Sequence, residues 1–131
     1  MVVRSLLDTN AYSALKRGDA AVAGHLRDSK RVFFSSVVAG ELLFGFLNGS
    51  RFERNHRELR SFLEDPRVRF LPVTWVTAGY FGRISTALRR RGTSIPSNDI
   101  WIAAHAMEVD ANLISSDPHF GRVDGLSWIK F

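Results

Sequence analysis

Apolar residues arrive along this chain in two rhythms, short unbroken runs and longer stretches that return every three or four positions. The first run, residues 2–7, ends abruptly in Asp8-Thr9-Asn10. A short aliphatic run of this kind predicts a buried strand, with Asp8 at its carboxyl end. Residues 11–15 form a short helical pattern that stops near Gly18, and residues 19–28 form a second, with Val22 and Leu26 on one face. The β-branched and aromatic stretch 31–35 predicts the second strand. Residues 36–48 then carry Val37, Val38, Leu42, Phe44 and Leu47 at helical spacing, which predicts a mostly buried helix closed by Gly49. Residues 51–63 are amphipathic and laced with Arg54/Glu58 and Arg60/Glu64 pairs four apart. Pro66 breaks that pattern. A third strand over 68–73 follows, then a long helix over 74–91 with Tyr80, Phe81, Ile84 and Leu88 facing core or a subunit contact. Its basic end, Arg89-Arg90-Arg91, suits the negative pole of a helix dipole. A loop at 92–97, a helix over 98–109, a fourth strand over 112–115 and an edge strand within 127–131 complete the chain. Alternating strands and helices predict an α/β fold, one domain over residues 1–131, with a mainly parallel sheet of four or five strands flanked by helices.

Composition narrows what such a domain does. The chain has 131 residues, 45% of them hydrophobic, enough for one real core. It has no cysteine, which excludes disulfides, zinc–thiolate centres and thiol catalysis. No stretch reaches the ~18 apolar residues of a membrane span, and Met1 leads into the first strand without a signal-peptide pattern, so a cytoplasmic protein is expected. The formal charge is +5, and fifteen of the eighteen cationic residues are arginine, whose planar fork suits phosphate.

Within this basic chain, four acids stand apart from any nearby cation. Glu41 is the only charge in the nineteen residues 32–50, and Asp8 is alone between Arg4 and Lys16. Asp99 is alone between Arg91 and Glu108 once histidine is counted neutral, and Asp117 between Asp110 and Arg122. An isolated carboxylate in an apolar segment costs on the order of several kcal/mol unless it is neutralised or paired. Local roles exist for three of them: Asp8 and Asp99 as helix N-caps, and Asp117 as a turn residue in Ser116-Asp117-Pro118. A shared explanation is a divalent cation held where the four acids converge at the carboxyl edge of the sheet. Without cysteine, and with its histidines scattered, the chain favours magnesium or manganese over zinc. Glu108 and Asp110 end a helix and are expected to be solvated.

At these residues the chain resembles the PIN-domain family, and within it the VapC-type toxins. Leu6-Leu7-Asp8-Thr9-Asn10 is similar to the family's opening motif. Ser35 with Glu41-Leu42-Leu43-Phe44-Gly45 resembles the second, Asn98-Asp99-Ile100-Trp101-Ile102-Ala103-Ala104-His105-Ala106 the third, and Leu113-Ile114-Ser115-Ser116-Asp117 with His119-Phe120 the last. The resemblance implies a metal-dependent endoribonuclease, the toxin of a type II toxin–antitoxin pair, with Asp8, Glu41, Asp99 and Asp117 binding Mg2+ or Mn2+. It further implies Thr9, Asn10 and Ser115 as polar support, a homodimer, and a VapB-like antitoxin whose tail lies in the groove beside the acids. Two positions depart from the pattern: Val38 where threonine is frequent and His119 where an acid is common. His105 is expected to be packed or hydrogen-bonded, and both histidines are left out of the core site.

Other chemistries fit less well. A phosphatase using Asp8 as nucleophile needs a second acid downstream, where Asn10 stands, and no glycine-rich phosphate loop is present. The alternative within the same fold is a catalytically weak module that binds nucleic acid or the antitoxin.

Overall fold

At the centre of the sheet lies β1 (Arg4–Leu7), with Leu6 and Leu7 fully buried. The computed structural model describes residues 2–131, so the expectation about Met1 lies outside the described residues. The chain continues through α1 (Thr9–Lys16), α2 (Ala20–Arg27), β2 (Arg31–Ser35), α3 (Ser36–Leu47), α4 (Phe52–Leu63) and β3 (Val68–Leu71). It then forms α5 (Trp75–Arg90), α6 (Ser97–Glu108), β4 (Asn112–Ile114), a 3-10 turn (Pro118–Arg122) and β5 (Trp128–Ile129).

The five strands pair in the order β3-β2-β1-β4-β5, and every pairing is parallel. Leu6 stands opposite Phe33 on one side and Leu113 on the other, and Leu7 stands opposite Ile114. The chain builds outward from β1 through β2 and β3, then returns across the sheet to lay β4 on the other flank. Strand order therefore reverses at β1, and the crevice outside its carboxyl end is where open α/β sheets bind ligands. Asp8 is the next residue.

Local chemistry sets the boundaries. Asp8 caps α1, Asp19 caps α2 by accepting from the Val22 N–H at 3.1 Å, and Ser35 caps α3 by accepting from the Val37 N–H at 3.0 Å. Gly18, at φ +87°, follows the C-cap of α1 in the left-handed region that only glycine enters freely. Thr74 and Thr77 form a capping box at the start of α5. Pro72, which lacks an N–H, closes β3 at Leu71, two residues short of the expected end.

Four expectations are corrected. The first strand begins at Arg4, because Val2 and Val3 are exposed and the Val3 carbonyl is engaged by the Lys30 N–H at 3.0 Å and the Arg31 N–H at 3.4 Å. Helix α3 is not mostly buried: Val38, Ala39 and Leu42 face the core, but Phe44 is 71% and Leu47 67% exposed. Only one face of α3 packs against the rest of the domain, so the apolar residues on its other face stay bare. Arg54 pairs with Glu58 at 3.9 Å, but Arg60 and Glu64 form no ion pair among the described residues, since Glu64 lies one position past the end of α4. Glu108 is engaged by a protein donor: it accepts a 2.6 Å hydrogen bond from the buried Thr77 hydroxyl, tying the start of α5 to the end of α6.

Candidate metal centre

Asp8 is only 4% exposed, and three donors hold its carboxylate. The Thr9 N–H donates to Oδ1 at 2.8 Å, the Ser115 hydroxyl donates to Oδ2 at 2.7 Å, and the Asn10 amide donates to Oδ2 at 3.1 Å. The N-cap reading of Asp8 holds through one oxygen, while the other accepts from Ser115 just past β4. Burial dominates its proton affinity and pushes its pKa up to about 6. The Ser115 and Thr9 hydrogen bonds pull it back, and the charges of Asp99 and Glu41 push it further up.

Glu41 enters from α3. Its Oε1 accepts a 2.9 Å hydrogen bond from the Thr9 hydroxyl, so the residue after Asp8 orients the second acid. Asp99 sits in the first turn of α6, whose N-cap is Pro96; it is not itself the cap. Burial raises its pKa, opposed by a hydrogen bond from His119 and reinforced by Asp117 and Glu41. Asp117 follows β4 and caps the 3-10 turn, accepting the His119 N–H at 2.9 Å, while its own N–H donates to the Ser115 hydroxyl at 3.0 Å. The turn reading of Asp117 therefore holds alongside its place in the cluster.

The four acids act on one another electrostatically. Glu41 and Asp99 both bear on Asp8, and Glu41 and Asp117 both bear on Asp99. Among the described residues no arginine or lysine pairs with any of them. Asn10 completes the support. Its amide nitrogen also lies 3.3 Å from the Ser115 hydroxyl, and its oxygen accepts from the Ser116 N–H at 3.1 Å. Thr9, Asn10 and Ser115 thus all contact the acids directly.

His119 belongs to this group, although sequence reasoning set it aside. Its Nδ1 lies 2.9 Å from Asp99 Oδ2 and 3.1 Å from Asp117 Oδ1. Facing two carboxylate acceptors, that nitrogen carries a proton in this arrangement. One ligand atom each from Asp99, Asp117 and His119 lie within 4.8 Å of one another. The signal was present in the spacing Asp117-Pro118-His119, since a proline in the first turn of a 3-10 helix folds the third residue back beside the first.

His105 has a structural place. It is fully buried, with Nε2 3.1 Å from the Pro72 carbonyl and Nδ1 2.8 Å from the Ser35 hydroxyl. A carbonyl only accepts, so Nε2 carries the proton and Nδ1 accepts from Ser35. Burial lowers its pKa against the smaller opposing effects of Pro72 and Glu108, and the ring is a neutral strut between α6, β2 and the end of β3. The arginine triplet closes α5, where Arg91 bonds Asp124 at 3.0 Å and the Arg122 carbonyl at 2.9 Å.

The four carboxylates influence one another's ionisation, with Asp99 and Asp117 closed up with His119 while Asp8 and Glu41 stand outside that tight group. Among the described residues none of the four pairs with a lysine or arginine. That donor set, oxygen-rich and short of positive charge, fits a divalent cation. A family model described as PIN domain matches residues 5–126. Ribonuclease VapC2 of Haemophilus influenzae is 30% identical over 134 residues, spanning 98% of this chain and 100% of the relative. Ribonuclease VapC2 of Rickettsia felis is 29% identical over 133 residues, spanning 95% and 98%. Among solved structures, a chain of VapBC2 from Rickettsia felis, bound to a DNA fragment from their promoter, superposes with a TM-score of 0.86. It is 25% identical, over 98% of this chain and 99% of that one.

Proposed function

Because this chain belongs to the PIN domain family, we propose that it is the toxin of a type II toxin–antitoxin pair, an endoribonuclease that hydrolyses RNA phosphodiester bonds. The observation that carries the reading is that Asp8, Glu41, Asp99 and Asp117 bear on one another electrostatically with no lysine or arginine paired to any of them among the described residues, burial pushing the pKa of Asp8 up to about 6. We assign these four as the ligands of Mg2+ or Mn2+, with Thr9, Asn10 and Ser115 as their supports, in a single domain spanning residues 1–131. When bound, such a cation would supply a hydroxide-like nucleophile at neutral pH and draw off charge developing on the phosphate. The chain's own residues do the positioning. Ser115 and Asn10 fix one face of Asp8, Thr9 aligns Glu41, and the first turn of α6 presents Asp99 where the helix dipole favours an anion.

Two exposed apolar surfaces support the partners. Phe44 lies three residues after Glu41 on α3, and with Leu47 it offers apolar contact beside the acid crevice for the tail of a VapB-like antitoxin. Phe70, Val73, Trp75 and Val76 run from the edge strand β3 into α5, and Trp75 is 90% exposed; this surface suits a second copy of the chain. No helix among the described residues is long and apolar enough to cross a membrane, and we place the protein in the cytoplasm with its RNA substrate.

The test is cleavage of structured RNA by the purified protein with Mg2+, Mn2+ or EDTA, beside an Asp8→Asn variant. Cleavage by wild type with metal, lost in EDTA and in the variant, is the expected result. Equal cleavage by both proteins would overturn the assignment. In cells, wild type slows growth unless the antitoxin is co-expressed, and Asp99→Asn at matched soluble levels does not.

A further inference from the structure

We propose that His119 is itself a metal ligand, binding through Nδ1, and that it tilts the centre toward a first-row transition cation such as manganese and away from magnesium. The inference rests on the metal-centre reading above and specifies which ion that centre prefers. It starts from a spacing. Two donors on neighbouring corners of an octahedral ion, each bonded at ~2.1 Å, stand about 3 Å apart. Nδ1 of His119 stands 2.9 Å from Asp99 Oδ2 and 3.1 Å from Asp117 Oδ1. The ring nitrogen stands from each carboxylate oxygen at the separation that neighbouring corners of one coordination sphere require, and all three ligand atoms lie within 4.8 Å of one another.

With a cation held there, Nδ1 would present its lone pair and the ring's proton would sit on Nε2. Nothing in the packing demands an imidazole here. The side chain is about one-third exposed, and Asp117 is already capped by the His119 main-chain N–H, so the ring adds a function beyond holding the turn.

Ligand chemistry gives the direction. Magnesium prefers an all-oxygen shell and gives up its waters reluctantly, whereas first-row transition ions take imidazole nitrogen more readily; manganese shares magnesium's liking for carboxylates and so is the member of that series to compare with it. Replacing one of several oxygen donors by nitrogen leaves the centre able to bind both ions but ranks them differently. An acid at position 119 would restore the all-oxygen set.

Pulsed electron paramagnetic resonance on the full-length chain loaded with Mn2+ reads the bond directly, because a coordinated imidazole nitrogen couples to the electron spin. The expected result is nitrogen coupling in wild type that disappears in His119→Asp, together with a fall of about tenfold or more in the ratio of Mn2+ to Mg2+ affinity measured by calorimetry. Mn2+ bound without nitrogen coupling would overturn the role of His119 while leaving the carboxylate centre standing. Coupling that persists in His119→Asp would assign the signal to His25, His56 or His105 and overturn it equally. Failure of wild type to bind Mn2+ at all would overturn both this inference and the metal-centre reading. The wild-type spectrum needs no variant to fold.

Discussion

The Ser115 hydroxyl donates a 2.7 Å hydrogen bond to Asp8 across the carboxyl ends of β4 and β1, and the same oxygen accepts the Asp117 N–H at 3.0 Å. One small side chain therefore positions the first and last acids of the cluster together. Ser115→Ala removes both contacts. It takes away the bond that most lowers the Asp8 pKa, so that pKa rises further and divalent-metal affinity falls. Loss of a hydrogen bond to a charged group costs about 1.5–3 kcal/mol. Urea denaturation at pH 7.5 and metal titration by calorimetry check the two effects.

Asp8 also makes the metal-free protein pH-sensitive in an unusual direction. Its folded pKa, about 6, lies above the ordinary 3.8, so between these values the folded state binds more protons than the unfolded one. This group's contribution to stability therefore improves as pH falls from 6 toward 4, and the penalty is fully present above 6. Asp8→Asn removes that penalty. The variant is expected to be more stable than metal-free wild type at pH 7.5, by up to roughly 3 kcal/mol, with the advantage fading toward pH 4. Added Mn2+ stabilises only wild type. Chemical denaturation in chelator across this pH range is the measurement.

His105 has the opposite sign. Burial lowers its folded pKa below the ordinary 6.5, so the unfolded chain binds the extra proton and the stability held by the neutral ring is lost as pH falls below 6.5. His105→Phe leaves the Pro72 carbonyl and the Ser35 hydroxyl without their partner, at a cost of about 1–3 kcal/mol at pH 7.5. The gap between variant and wild type narrows below pH 6.5, as thermal melts at pH 7.5 and pH 5.5 would show.

The β3-to-α5 surface gives a test of assembly. Trp75 buries almost nothing within its own chain, so Trp75→Lys leaves the melting temperature of the monomer unchanged while weakening self-association. Sedimentation velocity over a concentration series is expected to show dimer for wild type and a shift to monomer for the variant. A dimer unaffected by the change would place the subunit contact elsewhere.

The parallel sheet and the order of its elements were legible because aliphatic runs and helical spacing are local signals. Residues 31–35 matched β2 end to end, and Asp8, Glu41, Asp99 and Asp117 were recognisable because each lacked a cation in its own stretch of chain. Three features escaped because they depend on packing between distant segments. The exposure of Phe44 and Leu47 is set by what lies over α3, and the tie from Glu108 to Thr77 joins residues thirty-one positions apart. His119 reaches Asp99 across twenty residues, and its local spacing pointed only to Asp117 beside it.

The adjacency of β1 and β4 bears on when the centre becomes whole. Asp8 and Ser115, each the residue after its strand, meet side by side at the sheet's carboxyl edge yet are separated by 107 positions in the chain. During synthesis the central strand and its acid therefore emerge long before the strand that completes the pocket. A polypeptide that stops ahead of β4 lacks Ser115 and Asp117, so the support of Asp8 is complete only once the late strand is in place.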